Sequence, residues 1–425
     1  MNLLQAKHRS RSAPVLFILL ATVPALRAET SSGDLASLLA EALDRNPEVL
    51  AAQKRYEAAR QRPSQVSSLP DPMLSPSYAS VGRPWPGAGL GEMPMARIGF
   101  MASQEIPYPG KRKLMGDMAE KEAGAAFQDY QQVQLDVVAR LKQAYYRRSW
   151  AFAAADVLNR NIELLRKLLQ IAEARYSAGK AQQQDLFKTQ TQISILQTKK
   201  MQVEREAHAR EAEIVSLLNR APTSTLPQPA PLEAQEFDAT PESLIAAARA
   251  NSPVLRRDER MTQKAELAVS LARKDYYPDV TVRGGYYNMG GSPPLFEAGV
   301  DIKVPLYFFR KQRPAVTEKS QDLIATRRMY QADAQSLIYR IRDDQLMAKT
   351  SADLAKVYQD TVIPQASLAL ESSLSSYETG AVDFLTVLMN YIAVLEYEMN
   401  YYDELQNFYT AASRLEELTG QAVLR

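Results

Sequence analysis

The chain has 425 residues, no cysteine and two histidines, and its 51 basic and 49 acidic side chains nearly cancel to a net charge of +2. This composition excludes a disulfide framework and a thiolate metal site, and it leaves almost no raw material for a nucleophilic triad. It also argues against a nucleic-acid partner, which would want a clustered basic face.

Residues 1–28 read as a secretory signal peptide. Lys7, His8, Arg9 and Arg11 precede an apolar run from Pro14 to Val23 that is too short to cross a bilayer. The first repeat, residues 29–221, opens with a helix and then predicts strands over roughly 72–81 and 95–105. A Gly/Pro-rich loop from Gly82 to Pro94 joins them. In the second strand Ile98, Phe100 and Ala102 alternate with Gly99, Met101 and Ser103, which gives the strand one apolar face. Pro107 lacks the donor a ladder needs and ends the strand. It opens a corner containing Tyr108, Lys111 and Arg112. No proline follows Pro109 until Pro222. Leu158, Ile162, Leu165, Leu169, Ala172 and Tyr176 step by four and three, as a coiled-coil seam does. One helix from Lys111 to Tyr176 would span roughly 100 Å. Gly179 breaks it, and a return helix from about Gln182 to Asn219 completes an antiparallel hairpin.

Residues 222–241 form an extended linker marked by Pro222, Pro227, Pro229, Pro231 and Pro241. The second repeat, residues 242–425, restates the plan. Strands are predicted over roughly 278–288 and 295–304, with a loop from Met289 to Pro294 between them. Ala298, Val300, Ile302 and Val304 alternate with Gly299, Asp301 and Lys303. The corner is Pro305, Tyr307, Arg310 and Lys311, and the hairpin breaks at Gly380. Leu388, Ile392, Leu395, Met399 and Tyr402 predict the seam of its return helix. Pro364 has no counterpart in the first copy and predicts a kink. Corners and Tyr-x-x-Gly tips recur roughly 200 residues apart, too long a period for a solenoid. The chain is a duplicated half-protein.

Alternating strands suit a soluble sheet or a membrane barrel. Aromatic and basic residues side by side at strand ends favour the membrane, with Ile98, Phe100, Ala102, Ala298, Val300, Ile302 and Val304 facing lipid. Four strands cannot close a barrel, and an open edge is not tolerated in hydrocarbon, so copies must pool strands. Two copies would supply eight, and three would supply twelve with room for water. The competing reading is a soluble periplasmic coiled-coil adaptor, which should carry one hairpin flanked by small β-rich domains.

Over nearly its whole mature length the chain resembles the TolC-like outer-membrane efflux protein family. The duplication carries the resemblance, with the two Tyr-x-x-Gly tips, Gln104-Glu105-Ile106-Pro107 before Gly110-Lys111-Arg112, and Val304-Pro305-Leu306 before Arg310-Lys311. The resemblance implies a mainly α fold with a membrane β-barrel part. A homotrimer would pool twelve strands in the outer membrane of a Gram-negative bacterium, above a periplasmic α-barrel of coiled-coil helices. It implies the exit duct of a tripartite efflux pump for small molecules or metal ions, working with a periplasmic adaptor and an inner-membrane pump. It implies neither an enzyme nor a cofactor nor a resident metal. The Pro-x-Pro-Gly-Lys-Arg corner is closest to the heavy-metal (CusC- and CzcC-like) branch. Adaptor docking and gating would fall to the tips, at Tyr176, Gly179, Asp185, Tyr377, Gly380 and Asp383. Family members constrict the tunnel with acidic residues one and two turns beyond the second tip. Thr386 and Met389 stand there in this chain, leaving Asp185 and Asp383 as the nearby carboxylates.

Overall fold

The computed structural model describes residues 34–423, so the signal-peptide expectation lies outside the described residues. The first copy contains α1 (Leu35–Arg45), α2 (Pro47–Ala59), α3 (Arg62–Ser67), β1 (Met73–Ala79), β2 (Arg97–Ile106), α4 (Lys111–Ser177) and α5 (Gln183–Leu217). The second contains α6 (Pro241–Asn251), α7 (Pro253–Lys274), β3 (Asp279–Met289), β4 (Ser292–Lys303), α8 (Gln312–Val357), α9 (Ile363–Thr379) and α10 (Phe384–Thr419).

Local chemistry sets these boundaries. Asn46 separates α1 from α2 by capping the latter: its Oδ1 accepts from the amides of Glu48 at 2.8 Å and Val49 at 3.3 Å, and Pro47 fills the first helical position. The Asn46 amide also donates to the Leu217 carbonyl at 2.9 Å, which ties the start of the first copy to the end of its hairpin. Gly110 enters α4 in the left-handed conformation, and α4 then runs unbroken for 67 residues, roughly 100 Å.

All four strands form one antiparallel sheet in the order β1-β2-β3-β4. The two copies are therefore fused through β2 and β3, not built as separate strand pairs. The expected loop from Met289 to Pro294 shrinks to a tight turn at Gly290 and Gly291, because β4 already includes Pro293 and Pro294. Prolines are tolerated there because β4 is an edge strand. Gly290, at φ 72°, lies so close to the loop after β1 that a Cβ on it would sit 2.4 Å from the Gly91 nitrogen.

The core has two parts. One gathers Leu38, Leu141, Ile214, Ile341, Phe408 and Leu415 around the middle of the helices. The other gathers Leu158, Leu165, Leu196, Leu370, Tyr391 and Leu395 along the hairpins. The Pro-rich linker is extended, as expected, but it is strapped down. Arg148 donates to the carbonyls of Leu226 and Pro227, and the Tyr409 hydroxyl donates to the Glu233 carbonyl at 2.9 Å.

Two hairpin expectations change. In α4 the stripe Leu158, Ile162, Leu165 and Ala172 is buried, but Leu168 replaces Leu169 in the core and Tyr176 is exposed. In α10 the core runs through Phe384, Val387, Leu388, Tyr391, Val394 and Leu395, while Ile392 faces outward. Helix α10 packs against both α4 and the α8–α9 arm, so two overlapping stripes are apolar and spacing alone selects the wrong one. Pro364 does not break its arm. Residues Tyr358–Val362 form a π-helical turn between α8 and α9, and such a bulge absorbs the missing proline donor.

Candidate functional site: the sheet faces and the hairpin tips

Strand register sorts the sheet by chemistry. Directly paired residues share a face in an antiparallel sheet. Tyr78 pairs with Ile98, Phe100 with Tyr286 and Tyr286 with Phe296, while Val282 pairs with Val300 and Val280 with Ile302. Apart from Gln104 and Asn288 this face is apolar, yet it is uncovered: Phe296 is 73% exposed, Val300 60% and Ile302 59%. Phe100, Tyr286 and Phe296 form a ladder of rings with centroids 6.2 and 5.4 Å apart. Ala102 and Ala298 lie on the same face through Gly284.

The other face is polar. Ser103 pairs with Arg283, Glu105 with Thr281, Thr281 with Asp301 and Asp279 with Lys303. Arg283 lies 3.7 Å from Asp301 and 4.0 Å from Glu297. Arg97 covers the Tyr287 ring at 4.7 Å, and that ring folds over Gly99, where a Cβ would collide with it. A sheet with an uncovered apolar face and a charged opposite face suits hydrocarbon on one side and water on the other.

The two corners beneath the sheet differ. In the first, after Pro107, the buried Lys111 ammonium sits 3.0 Å from Asp275 and 3.0 Å from Asp279. Asp279 also accepts the Tyr108 amide at 2.8 Å, and the Tyr108 ring stacks on Tyr277 at 4.4 Å. Arg112 follows on the first turn of α4. In the second, after Pro305, Leu306 is 72% and Tyr307 77% exposed, and Phe309 is exposed beside Arg310 and Lys311. Among the described residues, neither Arg310 nor Lys311 has an ion-pair partner within 4.0 Å. The aspartates that lock the first corner were not singled out from sequence. They lie far along the chain from Lys111, and no local pattern marks them.

The structure brings the two tips together. Arg175, the residue before Tyr176, donates to the Tyr377 and Glu378 carbonyls across the gap, the latter at 2.9 Å, and its guanidinium covers the Tyr377 ring at 4.5 Å. Tyr377 is thereby almost wholly buried, while Tyr176 is exposed. Burial, and then the Asp185 carboxylate, push the Tyr377 phenol above its usual range, with Arg175 opposing them. Gly179 and Gly380 take positive φ at the two turns, the conformation that glycine adopts without strain. Asp185 closes a capping box with Gln182 on α5. Asp383 caps α10, accepting the Thr386 amide at 3.0 Å; the Thr386 hydroxyl, first of all, holds the Asp383 carboxyl below its usual range. Thr386 and Met389 are both exposed one and two turns on. Arg175 could have been suspected only as a basic residue before the tip, a weak signal.

A sheet with one largely apolar and one charged face, fused twice to helical hairpins of this length, has the plan of an outer-membrane channel subunit rather than of a soluble adaptor. The chain belongs to the outer membrane efflux protein family, whose model matches residues 38–220 and 244–421. It is 22% identical over 328 residues to the cobalt-zinc-cadmium resistance protein CzcC of Cupriavidus metallidurans, covering 75% of this chain and 77% of CzcC. It is 20% identical over 309 residues to the pyoverdine export outer membrane protein OpmQ of Pseudomonas aeruginosa, covering 68% of this chain. The match spans 62% of OpmQ's length. Among solved structures, CusC aligns with a TM-score of 0.77 at 15% identity over 91% of each chain. VceC of Vibrio cholerae aligns at 0.77 and 16% identity, over 92% of this chain and 97% of VceC. The fold is that of TolC-like outer-membrane channels.

Proposed function

We propose that this chain is the exit duct of a tripartite efflux pump in the outer membrane of a Gram-negative bacterium. Three copies pool twelve strands into one barrel, and their hairpins form a helical tunnel in the periplasm. The reading rests first on the four-strand register, which puts apolar side chains on one face and charge on the other. Such a sheet cannot stay open in hydrocarbon, and both its edges, β1 and β4, are unpaired within the chain. Exposed apolar residues on the hairpins, Phe187 and Ile195 on α5 and Leu368 on α9, offer the neighbouring copies a surface to cover.

The duct works by shape. Lumenal charges such as Arg283 and Asp301 hold water, and the tips seal the periplasmic end. A periplasmic adaptor docks on the exposed Tyr176, Gly179, Gly380 and Asp383, with the buried Asp185 and Tyr377 shaping the tips from within, and an inner-membrane pump supplies the energy. The relatives' names point to different cargoes, metal cations for CzcC and pyoverdine for OpmQ, which supports a duct that leaves selection to its pump. Planar-bilayer recording on the purified chain tests the reading. Trimers that produce discrete conductance steps are expected, and a monomer silent in the bilayer would contradict it.

A further inference from the structure

The second corner encloses a cavity of about 350 Å³ between the end of β4 and the start of α8. Lys303, Val304, Leu306, Tyr307 and Lys311 line it, with the locked Lys111–Asp279 pair at its back. We infer that this cavity seats the phosphodiester headgroup of a membrane phospholipid, one per chain, at the periplasmic rim of the barrel. The inference rests on the outer-membrane reading above.

Charge supplies the first argument. Asp279 is already saturated by the Tyr108 amide and the Lys111 ammonium, and Asp275 also pairs with Lys111. At the front of the cavity neither Lys303 nor Lys311 has an ion-pair partner within 4.0 Å among the described residues, although Lys303 lies opposite Asp279 and attracts that carboxylate electrostatically. Lys111, Lys303 and Lys311 outnumber Asp275 and Asp279 in the lining, and this positive excess suits a phosphate. Continuity supplies the second. Lys303 ends β4 on the polar face, and Val304 follows on the apolar face, so the cavity straddles the rim of the sheet. The exposed stripe Val300, Ile302 and Val304 continues into Leu306 and Tyr307 without a polar break. An occupant must therefore be anionic at one end and apolar at the other, and free phosphate would leave Leu306 and Tyr307 bare to water. A third feature is an orphan: Gln312 lines the cavity, more than nine-tenths buried, and its Oε1 has no partner among the described residues.

The test uses the full chain purified in detergent, as wild type, as the K303Q/K311Q double variant, and as K180Q at the hairpin tip for a control. Each is first checked for flotation with liposomes and then titrated with dioleoyl phosphatidylglycerol under native mass spectrometry. We expect all three to float, and wild type and K180Q to retain one lipid per chain. The double variant should bind it about tenfold more weakly or worse. Unchanged lipid binding by a double variant that floats overturns this inference and leaves the channel reading intact. A wild type that fails to float overturns both. Inorganic phosphate that displaces the lipid at equal concentration, with L306S having no effect on lipid binding, identifies a free-phosphate site and also overturns the inference.

Discussion

The two copies of the repeat share a plan but not a stiffness. The first corner is locked by the buried Lys111 between two aspartates that the second copy contributes, Asp275 and Asp279, and the long helix of the first copy runs 67 residues without interruption. In the second the corner is open and aromatic, and its long arm carries a π turn followed by Pro364. A duplicated half-protein that needed only a static tube would have no use for this divergence. From this comparison we propose that the hairpin of the first copy is the stiffer wall and that of the second the moving arm, with Arg175 of the first holding the tip of the second.

The largest expected effect breaks the lock. Asp279→Ala removes the acceptor of the Tyr108 amide and half the partners of a buried ammonium, and should cost about 3 kcal/mol of stability. Lys311→Ala at the open second corner should cost less than about 0.5 kcal/mol. Thermal unfolding in detergent compares them, and equal losses would erase the distinction between the corners. Next in size is Arg175→Ala. Charged hydrogen bonds to the two carbonyls, the one to Glu378 solvent-exposed and weak, together contribute about 1.5–3 kcal/mol, so the closed tip should give way and the open probability in bilayers should rise by at least about tenfold. Arg175→Lys, which keeps charge but loses the planar fork, should fall between. Pro364→Ala restores a backbone donor beside the π turn. Its stability effect should stay within about 1 kcal/mol, but the stiffened arm should open less often in the same recordings.

The smallest effect sharpens the comparison at the base of α10. Burial, and then Asp136, raise the Glu417 carboxyl above its usual range. A carboxyl whose folded pKa exceeds its unfolded value disfavours folding above that folded value. Stability should therefore rise as pH falls through the folded pKa toward the unfolded one. Glu417→Gln keeps an acceptor for Gln132 and should flatten this rise, with a gain at neutral pH below about 1 kcal/mol. Denaturant melts at several pH values would show whether the slope moves.

Much of this was legible in the residues themselves. Duplication, strand positions within a few residues, the corners and both tips follow from alternation, proline and glycine, because those signals are local. The seam of α10 was misplaced because a helix with two partners shows two apolar stripes, and only contact reveals that Tyr391 rather than Ile392 is buried. The fusion of the strand pairs through β2 and β3 depends on long-range register, which no window contains. Lys111 looked like an interfacial cation of the same kind as Lys311. Its burial depends on Asp275 and Asp279 across the sheet, and the role of Arg175 depends on carbonyls of the other tip. The π turn left no composition signal beyond Pro364 itself.

Amide hydrogen exchange on the wild-type chain in detergent tests the central claim most directly. The windows to compare are residues 357–366, around the π turn and Pro364, and residues 156–165, the corresponding stretch of α4. The moving-arm account predicts exchange at least about tenfold faster in the second-copy window, because local opening there is easier. Equal or slower exchange in that window would contradict it.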